Sequence, residues 1–194
     1  PVPRTPMAYN TKWMINTKFN QENEHYIADQ LLHGKHIRAV SDGSYHPTFH
    51  HGTSAWIIQG EDTTQMISGN NLAPGQKQVQ CSHRSELCGL IGAIKHINDI
   101  CSTHDITAGQ VELACDGEEA YKIAKRHLFQ PTSKISHYDL TTKLHWLINK
   151  SPITWKFRHV YGHQDKIKKY NELDVWEQLN FQADKMAKAH PVSY

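Results

Sequence analysis

The sequence predicts an α/β domain, a mixed sheet of five strands with helices on its faces, and three observations predict it. Ile37 to Ser44, Ser54 to Gln59 and Thr63 to Ser68 are short apolar stretches in succession, separated by Gly- or Asp-containing turns, the pattern of an antiparallel meander. Leu87, Leu90, Ile91, Ile94 and Ile97 then recur at helical spacing. Beyond them, alternating strand and helix patterns follow, which in a layered domain add parallel strands. The predicted order is βββαβαβα.

Each element has its own signal. Pro1 to about Gln21 holds prolines and scattered apolar residues without periodicity, and Asn20 to Leu32 suits a helix ending at Gly34. Residues 1–36 therefore read as an N-terminal arm or linker, and residues 37–190 as the domain. Ser82 stands near the N-cap of the helix through Leu87. Val111, Leu113 and Cys115 alternate with Glu112, Ala114 and Asp116 as a strand, and a helix follows from about Glu118 to His127. Ser136 to Asn149 gives the next helix, and Ile153, Trp155, Phe157, His159 and Tyr161 alternate as the next strand. A last helix, about Trp176 to Ala189, stops before Pro191. The chain shows no internal repeat.

Composition narrows the class. With 38% hydrophobic and 21% charged residues among 194, the chain is ordinary for a water-soluble domain, and no apolar run approaches the roughly 18 residues of a membrane span. Pro1 to Asn20 lacks the apolar core of a secretory signal, and a start at Pro1 reads as excision from a longer chain. Cysteines 81, 88, 101 and 115 have no CxxC spacing and mostly sit in apolar patterns. They read as reduced thiols in an intracellular compartment, cytoplasmic or nuclear. His46, His50 and His51 lie in a polar, Pro-containing turn without thiol or carboxylate neighbours, which reads as solvated turn and not as a zinc site. A net charge of +2 means that a polyanionic partner must be held by local patches.

Four carboxylates stand out by position. Asp42 falls inside the first strand pattern, where an unpaired buried charge costs several kcal/mol. Asp116 ends an apolar strand, and ligands of α/β sheets gather at such carboxyl ends. Glu86 precedes the apolar stripe at Leu87, and Asp184 adjoins Ala183 and Ala187 on the last helix. Taken singly, Asp42 reads as a turn residue and the helix acids as solvated charges. Taken together, converging carboxylates ionise only if cations neutralise them, and an all-oxygen site favours Mg²⁺ or Mn²⁺. Such a pair of ions supports phosphodiester hydrolysis without a serine or cysteine nucleophile.

In this order the segments Ser41-Asp42-Gly43-Ser44, Arg84-Ser85-Glu86-Leu87, Cys115-Asp116-Gly117 and Tyr161-Gly162-His163-Gln164 resemble the type 1 ribonuclease H family, over roughly Ile37 to Ala189. The resemblance implies the family's five-stranded sheet, three antiparallel strands and then parallel ones. It implies that Asp42, Glu86, Asp116 and Asp184 hold two Mg²⁺ ions, with Mn²⁺ as a substitute. It further implies that His163 assists proton transfer or product release, and that Gly43, Ser44, Arg84 and Asn180 contact nucleic acid. The implied substrate is the RNA strand of an RNA·DNA hybrid. The chain departs from the family in three places. Ser82 and His83 stand where many members carry groove-contacting asparagines, and the connection from His163 to Asp184 is long and carries Lys166, Lys168 and Lys169. Leu128 to Ile135 leaves no room for the basic substrate-gripping helix of many cellular enzymes. That absence resembles the version fused to retroviral and retrotransposon reverse transcriptases, and implies a monomeric domain covalently linked to a polymerase. The alternatives are another two-metal nuclease or transposase on the same fold, and a noncatalytic nucleic-acid-binding domain.

Overall fold

A computed structural model describes residues 17–189; the arm before residue 17 and residues 190–194 lie outside the described residues. The sheet is built from β1 (Lys18–Asn20), β2 (Ile37–His46), β3 (His51–Gln59), β4 (Met66–Leu72), β5 (Gln110–Cys115) and β6 (Thr154–His159), in the spatial order β1-β4-β3-β2-β5-β6. The helices are α1 (Glu24–Leu32), α2 (Ser82–Thr103), α3 (Glu118–Lys125), α4 (Tyr138–Lys150) and α5 (Val175–Lys188). The mixed sheet of the sequence reading is present: β2, β3 and β4 form the antiparallel meander, and β2, β5 and β6 run parallel.

The sheet gains a sixth strand that the sequence does not announce. Lys18, Phe19 and Asn20 pair antiparallel with Asn70, Gly69 and Ser68 of β4. Three residues with one apolar member have no period to read; Phe19 is held instead by its contacts with Trp56 and His96. Helix α1 follows, and Ile27, Ala28 and Leu31 enter the main core. Residues 18–32, part of the arm in the sequence reading, are thus joined to the sheet by backbone pairing and apolar burial.

β2 is central and buried on both sides. Ala39 faces the larger core beneath α2, while Val40 turns to the opposite face and packs with Ala114, Leu179 and Ala183 of β5 and α5. Trp56 of β3 is fully buried, and its Nε1–H donates to His96 Nδ1 of α2 at 3.0 Å. Burial pushes His96 down to about 4, so the ring stays neutral and Nδ1 is an acceptor. This hydrogen bond ties α2 to the sheet, beside the packing of Gly92 against the Trp56 ring. Trp56→Phe should lower unfolding free energy by about 1–3 kcal/mol, since it leaves His96 Nδ1 buried without a donor. Chemical denaturation monitored by circular dichroism checks this, and an unchanged midpoint would remove the bond from the packing account.

Candidate metal centre

Strand register sets the first two carboxylates side by side. β2 and β5 pair in parallel with Val40 opposite Ala114, and the same offset carries Asp42 level with Asp116, just past the end of β5. The third comes from α2, whose N-cap is Cys81, its sulfur accepting from the Arg84 N–H. β2 touches the first turn of this helix directly: a Cβ on Gly43 would lie 2.5 Å from the backbone nitrogen of Glu86. Only glycine permits that approach. The Gly43 N–H in turn donates to Asp42 Oδ1 at 3.0 Å and to Glu86 Oε1 at 3.2 Å, one donor shared by two carboxylates.

Asp42, Glu86 and Asp116 each offer an oxygen, and these oxygens lie within 4.8 Å of one another. Asp42 is 3% exposed. Burial, then the charges of Glu86 and Asp116, raise its pKa far above the usual carboxylate range, with hydrogen bonding to Asp184 and Asp116 adding to the shift. Burial, then Asp116, also pushes Glu86 upward. Without a cation the cluster must therefore share protons. Glu86 Oε2 is buried with no hydrogen-bond partner. A hard divalent cation would satisfy that oxygen and relieve the repulsion at once, so the residues fit Mg²⁺ or Mn²⁺.

Asp184 stands beside Asp42 but outside the group of three, and its Oδ2 is held by Lys188 Nζ at 2.8 Å. Lys188 was legible only as a partner four residues along the helix. The loop after β6 rests on the site from the other side: a Cβ on Gly162 would lie 2.3 Å from Asp116 Oδ2. Next to it His163 is exposed in a left-handed conformation with φ 56°. In the connection from His163 to Asp184 two short 3-10 turns, Gln164–Lys166 and Tyr170–Glu172, flank Lys168 and Lys169, and Lys168 pairs with Glu177 at 3.1 Å.

The residues that the resemblance assigns to nucleic-acid contact divide. Gly43 and Ser44 are partly exposed at the end of β2. Arg84 turns inward, its side chain 4% exposed, with Nη2 on Asp139 Oδ2 at 2.8 Å and Nε on the Pro74 carbonyl at 2.7 Å. It ties the start of α2 to the start of α4, a partnership of residues 55 apart that sequence spacing does not reveal. Asn180 is also buried, with its Nδ2 lacking a partner. Among the described residues no histidine joins a group able to hold a metal; His46 and His51 end β2 and begin β3, His50 lies in the turn between them, and His46 and His50 are exposed while His51 is half-buried.

The raised carboxylates set a pH dependence. Asp42 has an ordinary value of 3.8. Above it the unfolded chain releases a proton that the metal-free folded state keeps, so the folded state binds more protons and loses stability as pH rises, by at most about 1.4 kcal/mol per pH unit for one group. Asp42→Asn should stabilise the metal-free protein at pH 8 and flatten this slope, and Mg²⁺ should raise the melting temperature of the unmutated chain at pH 8 more than at pH 5. Calorimetry across pH, with and without Mg²⁺, measures both; a slope of the opposite sign would rule out a repelled cluster.

No protein-family model and no curated protein matches the chain. Among solved structures it is similar to RNase H1 from the halophilic archaeon Halobacterium salinarum NRC-1, at 15% identity, with a TM-score of 0.46, over 79% of this chain and 95% of that one.

Proposed function

We propose that the chain is a metal-dependent endoribonuclease that hydrolyses the RNA strand of RNA·DNA hybrids. The observation that carries the reading is the convergence of Asp42, Glu86 and Asp116 from two adjacent strands and one helix, with a buried, unpartnered Glu86 oxygen among them. The order of the four sequence motifs supports it. Asp42, Glu86 and Asp116 would hold the first of two Mg²⁺ or Mn²⁺ ions, and Asp184, released from Lys188, would complete the second site. Bound there, the ions supply Lewis acidity at a scissile phosphate.

The remaining chemistry falls to the chain. The Gly43 N–H fixes the facing oxygens of Asp42 and Glu86. Gly162 lets the loop that carries His163 approach Asp116 closely, and in this reading the His163 imidazole would hand a proton to a leaving oxygen. In this reading Gly43 and Ser44, partly exposed on β2, would meet a minor-groove 2′-hydroxyl, the mark of RNA. In this reading the chain is a monomeric, intracellular domain of a retroelement polyprotein. A linked polymerase holds the hybrid, because among the described residues no helix lies between Lys125 and Tyr138 to grip it.

The test offers RNA·DNA hybrid, duplex RNA and duplex DNA to the chain with Mg²⁺ or Mn²⁺. Cleavage of hybrid RNA alone is the expected result, and equal cutting of duplex DNA points to another two-metal nuclease on this fold. Asp116→Asn should abolish turnover with folding intact, whereas His163→Ala should slow it by roughly 10²-fold or less, the lower range for an acid–base contributor. Full activity of Asp116→Asn would remove that residue from the cluster, and no cleavage of any substrate would leave the noncatalytic binding reading.

A further inference from the structure

The face of the sheet that carries α5 bears a group of cations that the carboxylate cluster does not use. Arg38, Glu112 and Lys156 lie opposite one another across β2, β5 and β6, and Arg158 stands two residues beyond Lys156, opposite Ala114. Successive residues of a strand alternate between faces, so these four share the face of Val40 and Ala114, which pack with Leu179 and Ala183 of α5, and the face of Asp42. One carboxylate stands among them. Glu112 accepts from Arg158 Nε at 2.8 Å and meets His36 Nε2 at 3.2 Å. Arg38 bonds instead to the uncharged Gln59 at 3.0 Å, and Lys156 is exposed with no ion pair among the described residues. The row of cations is thus in excess over its one acid, on the same face as the cluster.

Arg158 is held ready. Its Cζ lies 4.7 Å from the centre of the Trp176 ring at the start of α5. With Nε on Glu112 and the guanidinium beside the indole, the side chain is kept in one orientation, and little rotamer freedom remains to be lost on binding an anion. Its two Nη groups make no hydrogen bond among the described residues, and the side chain is 45% exposed. Arg158 also lines a cavity of about 280 Å³ between the start of α5 and the loop after β6, with Tyr161, Gln164, Lys168, Trp176 and Glu177 in the same wall. The acids there are already bound: Asp174 and Glu177 form the capping box of α5, and Glu177 also takes Lys168.

Tyr161 is the second open donor of this wall. It is 75% exposed, its ring meets that of His159 edge-on at 5.3 Å, and its hydroxyl makes no hydrogen bond among the described residues. The wall adjoins the carboxylates. The Val160 N–H donates to the Cys115 carbonyl at 3.0 Å, so the chain runs beside β5 up to the level of Asp116, and Gly162 then packs against the Asp116 side chain. Arg158 stands two residues short of that level and one strand across, a backbone separation of about 8 Å. Nucleotides follow one another at about 3.4 Å along a strand, so a strand with one phosphate at Asp116 carries another past Arg158 about two nucleotides away.

We propose that Arg158 and Tyr161 form a phosphate subsite for the nucleic-acid strand whose scissile phosphate lies at the carboxylates. The Nη groups of the guanidinium match two oxygens of one phosphate, and the Tyr161 hydroxyl donates to the same group. Such a contact fixes the register of the strand over the site and reads no base. Nucleic acid is favoured over an acidic protein segment because the cavity opens beside the metal-binding carboxylates, where the nuclease reading already places a phosphodiester. The proposal rests on that reading for the choice of ligand.

The experiment follows the fluorescence anisotropy of a labelled RNA·DNA hybrid bound to the metal-free full chain, over a series of salt concentrations. Arg158→Gln should weaken binding about tenfold at low salt, and should lower the slope of log affinity against log salt by about 0.7–0.9, the value of one phosphate contact. Arg158→Lys should restore the slope but only part of the affinity, since an ammonium keeps the charge and not the fork. Tyr161→Phe should weaken binding about threefold with the slope unchanged, and the double variant should lose less than the product of the two, because both bonds go to one phosphate. Circular dichroism shows that each variant is folded. Inorganic phosphate and a polyglutamate peptide are the competing probes. No binding of hybrid at low salt, a slope that Arg158→Gln leaves unchanged, or losses that multiply in full overturns the proposal. Polyglutamate binding that needs Arg158 where hybrid binding does not marks a surface for an acidic segment, and inorganic phosphate that displaces hybrid at equal phosphate concentration marks a free-anion site; either result also overturns it. If hybrid binds through Arg158 but is not cleaved with Mg²⁺, the subsite stands and the nuclease reading falls; if hybrid is cleaved and its binding ignores Arg158, the subsite alone falls.

Discussion

Backbone touches backbone where β2 crosses the first turn of α2, at Gly43 and the Ser85–Glu86 peptide, and the rest of the arrangement is organised around that contact. It brings a strand carboxylate and a helix carboxylate to one N–H donor. The parallel pairing of β2 with β5 then adds Asp116 at the same level. The contact is held from outside the site, by Trp56 bonded to His96 on one side and by Arg84 bonded to Asp139 on the other. These ties orient α2 along its length and at its start.

The cluster is the place where the molecule gives up local stability. Buried carboxylates that raise one another's pKa oppose folding in the absence of a cation, and Glu86 Oε2 adds an unmade hydrogen bond. A packed core supplies the surplus that tolerates such a site, as functional sites commonly require. Lys188, bound to Asp184, serves as an internal counter-ion at the rim, so the fourth carboxylate is neutralised by the chain itself. Gln80 Oε1, also buried without a partner, lies near the same turn of α2.

The sequence by itself determined the elements that carry a strong period. The apolar stretch from Ile37 to Ser44, the alternation in Val111 to Asp116 and the stripe from Leu87 to Ile97 specify which segments face a core, and the observed strands and helices keep those centres with ends shifted by a few residues. The carboxylates could be picked out because each breaks an apolar pattern or stands at its edge. Pairings between distant segments are a different matter, since no local pattern encodes them. β1 is too short to show a period, and it forms because β4 offers an open edge and Trp56 a surface for Phe19. The inward turn of Arg84, the Lys188 bond to Asp184 and the shared Gly43 donor likewise exist only once the helices lie on the sheet. Periodicity reports burial along one segment; convergence of charge and unmet hydrogen bonds depends on which segments meet, and only the tertiary structure decides that.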